Sequence, residues 1–177
     1  GRQKVTAAKI ESRQEAPVDP VIAPSVAIYQ VNNRLFEKAL DGLSPEQLVK
    51  CVSDASNPIL WIGGHVANTR FGLCAMLGRK LHRPWGDIFN RSAARPDLEA
   101  YPDLSIIQRA WTEVSAALMA RFEELTDPEL QAPSPRPFPI ADKSMRGAIA
   151  FLAYHEGYHL GQIAYVRKWL GFPGLMD

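Results

Sequence analysis

The chain has 177 residues, 46% apolar and 22% charged, a composition that supports one ordinary globular core and excludes a disordered or fibrous chain. With 20 Lys and Arg against 19 Asp and Glu, the formal charge of +1 gives no whole-protein attraction for nucleic acid or an anionic membrane. No apolar run approaches the roughly 20 residues of a spanning helix, and two cysteines, Cys51 and Cys74, cannot frame a disulfide scaffold, so reduced thiols and a cytoplasmic setting are expected.

Residues 1–24 read as an N-terminal tail, because Pro17, Pro20 and Pro24 forbid a long helix there. A single domain is expected over 25–177. Ser25 has N-cap chemistry, and Ile28, Val31, Leu35 and Ala39 recur at helical spacing before Gly42 ends the pattern. Ser44-Pro45-Glu46-Gln47 opens a short helix, with Pro in its first turn and a capping-box Gln. A second long helix is expected from Asn57-Pro58 to Gly78, with Trp61, Ile62, His65, Thr69, Leu73 and Met76 along one stripe.

Residues 79–103 form a long connection, of a length that commonly carries function. Its first part holds Arg79, Lys80, Arg83, Arg91 and Arg95 against Asp87, a local charge of +4 that would suit an anionic co-substrate. His82, beside Pro84 and Trp85, reads as a surface residue. The third long helix is expected from Ser105, with Gln108 as its capping partner and Ile107, Trp111, Val114, Leu118 and Phe122 facing inward, until Asp127-Pro128 stops it. Five prolines between 128 and 143 predict an extended linker. Ser144 then caps a fourth helix that runs to about Leu170, before Gly171 and Pro173. Strand signals are weak throughout, so the expected fold is all-α, a four-helix bundle with a long connection between its second and third helices.

The chemistry concentrates on histidine. Four residues turn a helix by about 400°, so His155 and His159 lie about 40° apart in azimuth and about 6 Å apart in rise, placed to chelate one ion. His155-Glu156-Gly157-Tyr158-His159 matches the H-E-x-x-H pattern of zinc proteases. That reading fails on the third ligand, because the 18 residues after His159 contain no Glu and no His. The third ligand must come from upstream, and His65 on the second helix's buried stripe is the natural candidate. Gly63-Gly64 precede it at a helix cost of about 2 kcal/mol against alanine, which predicts that something close needs the space, a packed backbone or a metal centre. Gln162 follows on the metal-facing stripe and is placed to orient a ligand or a water. Tyr158 and Phe151 flank that stripe as expected pocket walls, joined by Trp61 and Thr69 from the second helix. Glu156 points about 100° away from His155 and reads as a solvated surface residue. Cys74 lies half a turn off the face of His65, away from any metal.

Three stretches together carry a resemblance: Asn32-Asn33-Arg34-Leu35 through Ala39-Leu40-Asp41-Gly42-Leu43-Ser44; Asn57-Pro58-Ile59-Leu60-Trp61-Ile62-Gly63-Gly64-His65-Val66-Ala67; and His155-Glu156-Gly157-Tyr158-His159-Leu160-Gly161-Gln162-Ile163. In order and spacing the chain resembles the DinB-like superfamily, the DinB/YfiT-like metalloenzymes, over residues 25–171. The resemblance implies a four-helix bundle and a divalent metal, nickel, zinc or iron, held by His65, His155 and His159. It also implies a small-molecule substrate, a low-molecular-weight thiol as co-substrate in some members, and a homodimer with the tail or an apolar helix face at the contact. Three neutral imidazoles leave at least one coordination position open, an arrangement suited to catalysis. That ligand set serves a thiol S-transferase and a hydrolase equally, and it serves a non-catalytic metal-binding or stress-response module as well.

Overall fold

A computed structural model describes residues 17–91 and 97–176; the greater part of the expected N-terminal tail, together with Arg95, lies outside the described residues. Four long helices dominate: α1 (Ala23–Leu40), α3 (Ile59–Met76), α4 (Leu104–Glu124) and α6 (Met145–Trp169). The short α2 (Pro45–Leu48) and α5 (Asp127–Gln131) sit in the connections. No strand is present among the described residues. The helix α3 packs between α4 and α6, and α6 packs also on α1, so the bundle closes around α3 and α6.

The central position of α3 follows from its composition. Fourteen of its residues, on every face, are buried, which is the arrangement of a helix that is apolar all round. The amphipathic α4 buries the expected stripe of Ile107, Trp111, Val114, Leu118 and Phe122. Its start lies at Asp103, not at the predicted Ser105.

Two other expectations are corrected. α1 starts earlier than Ser25, with Ile22 at its N-cap and Pro24 in its first turn, where a missing N–H costs nothing. Its inward face is also shifted, although Ala39 is buried and Leu35 partly so as expected. Ile28 and Val31 are exposed, while Val26, Tyr29, Asn32 and Phe36 point inward. The cause is tertiary hydrogen bonding: the Tyr29 hydroxyl donates to the Ile149 carbonyl at 2.8 Å, and Asn32 Nδ2 donates to Glu156 Oε2 at 3.1 Å. In the proline-rich stretch, Asp127-Pro128 begins α5 where a continuous linker was expected. Thr126 and Glu129 cap that helix reciprocally. Beyond it the chain is not the extended linker expected: it folds back on itself, with an antiparallel bridge between Pro133 and Ser144 and the Ser134 N–H donating to the Lys143 carbonyl, before Ser144 serves as the N-cap of α6 as expected.

The 79–103 connection is folded onto the bundle by aromatics. Trp85 and Phe89 are buried, Trp85 packs edge-on against Phe71 at 5.7 Å, and the Trp85 indole N–H donates to Asn68 Oδ1. The far end of the Phe89 ring abuts Gly64: a Cβ there would sit 2.2 Å from it. At Gly63 the neighbour is the Leu40 side chain at 3.1 Å. What needs the space at the two glycines is thus an aromatic ring and a leucine, not a packed backbone or a metal centre.

Candidate metal centre

Three helix positions bring the histidines together. His65 sits at the middle of α3, and His155 and His159 share one face of α6. Their ring nitrogens lie within 4.8 Å of one another. The rings of His65 and His159 meet edge to face at 4.9 Å, and those of His65 and His155 at 5.3 Å.

Outer contacts fix how the rings present themselves. His65 Nδ1–H donates to the Phe89 carbonyl at 2.8 Å, and His159 Nδ1–H donates to Gln162 Oε1 at 2.7 Å. Each bond selects a tautomer whose Nε2 lone pair faces the cavity. Trp61 stacks on His65 with its plane 7° from parallel. Burial is the main cause pushing all three imidazoles below their ordinary range, His155 to about 3 and His159 to about 4. The Arg91 guanidinium pushes all three the same way. The imidazoles are therefore neutral at pH 7, the form a metal requires.

The group fits a divalent cation. His155 Nε2 and His159 Nε2 face each other at 3.0 Å, the separation that two bonds of about 2.1 Å span at about a right angle. His155 Nδ1 is buried with no hydrogen-bond partner among the described residues. The one hydrogen-bond contact of the His155 ring is the His159 nitrogen, and an ion between the two Nε2 atoms would accept both lone pairs.

The histidines line a cavity of about 1060 Å³. Trp61, Tyr158 and Gln162 lie on its wall, together with Tyr154, Tyr165, Arg91 and, from the stretch before α3, Val52, Ser53, Ala55, Ser56 and Asn57. Two other expected pocket residues stand elsewhere. Thr69 donates its hydroxyl to the His65 carbonyl within α3. Phe151 stands behind His155 at 6.4 Å and packs on Phe138. Cys74 is buried against α4, near the Val114 carbonyl, and burial pushes its thiol up to about 11.

Glu156 requires a correction. It is 1% exposed, not solvated. Arg70 Nε donates to its Oε1 at 2.7 Å and Arg70 Nη2 to its Oε2 at 2.6 Å. Arg70 also donates to Asn33 and to Ser115 Oγ, and its guanidinium lies 3.7 Å over the Trp111 ring. The 100° offset from His155 leads into the seam against α1 and α3, because α6 is covered on that side. No motif in the sequence marks Arg70 or Phe89 as a neighbour of this site, and only Gly64 hints at Phe89; Arg91 is signalled by the basic cluster of the connection.

A family model described as the DinB superfamily matches residues 28–163. The chain belongs to the DinB superfamily. No curated protein sequence matches it. Among solved structures this DinB bundle is similar to YfiT from Bacillus subtilis, described as "a probable metal-dependent hydrolase with an unusual four-helix bundle topology", with a TM-score of 0.52 and 14% identity over 97% of this chain and 95% of that one. The likeness establishes the four-helix fold. No DinB helix described here is long and apolar enough to cross a membrane.

Proposed function

We propose that this DinB-superfamily chain is a metal-dependent enzyme acting on a small molecule, as a thiol S-transferase or a hydrolase. The observation that carries the reading is the convergence of His65, His155 and His159 on one open cavity. A divalent ion held there, nickel, zinc or iron, would act as a Lewis acid and lower the pKa of a water or thiol at an open position. Phe89 and Gln162 hold two of the rings in the ligating tautomer. Trp61 and Tyr158 wall the space in which a substrate would lie. Glu156, committed to Arg70 on the far side of α6, is not the proton acceptor that its place in the motif suggests. The description of YfiT as metal-dependent supports the reading. The same reading carries a homodimer, for which light scattering should return twice the chain mass of 19.7 kDa.

Elemental analysis of the purified protein, followed by turnover assays, tests the proposal. One divalent ion per chain is expected, with metal-dependent consumption of a thiol plus electrophile for a transferase, or of an activated ester for a hydrolase. Metal without any turnover would leave a metal-binding module. Absence of stoichiometric metal after reconstitution would overturn the reading.

A further inference from the structure

The cavity has an unusual charge inventory. Among the described residues no Asp or Glu lines it, while Arg91 does, beside three histidines. Of the connection's cations, Arg79 is bound to Glu124 and Arg83 to Asn68 and Asp87. Arg91 has no carboxylate partner among the described residues, and the stretch 92–96 that follows it contains no acidic residue. A cation beside a candidate dication site, with no anion supplied by the cavity wall, is unfavourable until a ligand brings negative charge. The cavity lining also includes four uncharged aromatic side chains, Tyr154, Tyr158 and Tyr165 from α6 and Trp61 from α3.

From these facts we infer that the cavity takes an organic oxyanion, a carboxylate or phosphate on an apolar, planar body, with Arg91 binding the oxyanion and the tyrosine wall packing the body. The inference rests on the proposed function only in placing the reacting group at the histidines; the anion site itself depends on Arg91. A guanidinium presents paired N–H donors that match two oxygens of either oxyanion. The neutral tyrosine and tryptophan faces suit a flat apolar body.

Equilibrium binding of benzoate, phenyl phosphate and the neutral isostere benzamide, followed by ligand-observed NMR, tests this on wild type and Arg91→Gln, each with and without added metal. Arg91 stands exposed on a connection, and far-UV circular dichroism checks that the variant remains folded. Both anions should bind wild type more tightly than benzamide, with and without metal. Arg91→Gln should weaken the anions by about tenfold and leave benzamide unchanged. Arg91→Lys should restore part of the loss, and anion affinity should fall as salt rises. Equal binding of anions and benzamide, or anion affinity unchanged in Arg91→Gln, would overturn the inference. Failure of wild type to take up metal would instead defeat the proposed function, while the anion preference of the metal-free protein would persist.

Discussion

Within one turn, α6 shows two opposite treatments of polar side chains. His155 and His159 face an open cavity, half-buried, with Nε2 atoms that meet only each other and a His155 Nδ1 that has no partner among the described residues. Glu156, between them in sequence, faces the interior, where Arg70 and Asn32 occupy both carboxylate oxygens. A buried charge is tolerable when its lone pairs are met by donors in good geometry. A group left short of partners is available to a ligand. The difference between the two faces separates what holds the bundle in register from what the bundle presents.

Breaking the interior face should have the largest effect on stability. Arg70→Ala leaves Glu156 buried and unpaired, at a cost of about 3–5 kcal/mol or roughly 10 °C in melting temperature for a chain of this size. Replacing both partners with apolar residues, as in Arg70→Met with Glu156→Leu, should recover most of that loss, which thermal melts of the single and double variants can measure. A single variant as stable as wild type would remove the contrast between the faces.

On the open face, His159→Ala should abolish stoichiometric metal by elemental analysis. Helicity by circular dichroism should hardly change, because the residue stands at a cavity and not in the packed seam. Full metal content in that variant would move the ligand site elsewhere.

Acid sharpens the comparison further. In the folded, metal-free chain His155 and His159 titrate at about 3 and about 4, whereas the unfolded chain takes up protons near about 6.5. Between those values the unfolded state binds more protons, so stability is complete above about pH 6.5 and falls as pH drops toward about 4. Melting temperatures at pH 7.5, 6 and 5 should show this slope, and His155→Ala should flatten it. An unchanged slope would assign the acid sensitivity to other groups.

The smallest effect belongs to Gly157, on the exposed side of the same turn. A Cβ there meets nothing within 4 Å, so Gly157→Ala should stabilise by up to about 1 kcal/mol. Gly64→Ala, facing Phe89, should destabilise by about 1–3 kcal/mol. Denaturant titration of the two variants gives opposite signs if the faces differ as described.

Much of this arrangement is legible in the sequence. The helices are visible because their apolar periods and terminal glycines agree, although α1 and α4 take Ile22 and Asp103 at the N-cap in place of the expected Ser25 and Ser105. The meeting of His65 with His155 and His159 follows from their places on neighbouring buried stripes. Two things were hidden. The inward face of α1 is chosen by Tyr29 and Asn32, whose hydrogen bonds to α6 outweigh the greater hydropathy of Ile28 and Val31. The burial of Glu156 depends on Arg70, 86 positions away, a pairing that no local period encodes. Backbone groups are equally silent, since the carbonyl that orients His65 could belong to any residue type at position 89.

That carbonyl constrains how the protein can be re-engineered. Loops are ordinarily exchangeable parts, trimmed or grafted at little cost to the frame beneath. Here a segment joining α3 to α4 ends one imidazole's freedom of rotation through a main-chain oxygen. A shortened or transplanted connection could preserve every side chain of the cavity and still release His65 to spin. Any graft must therefore be judged by where it places one oxygen atom, before its sequence is considered at all.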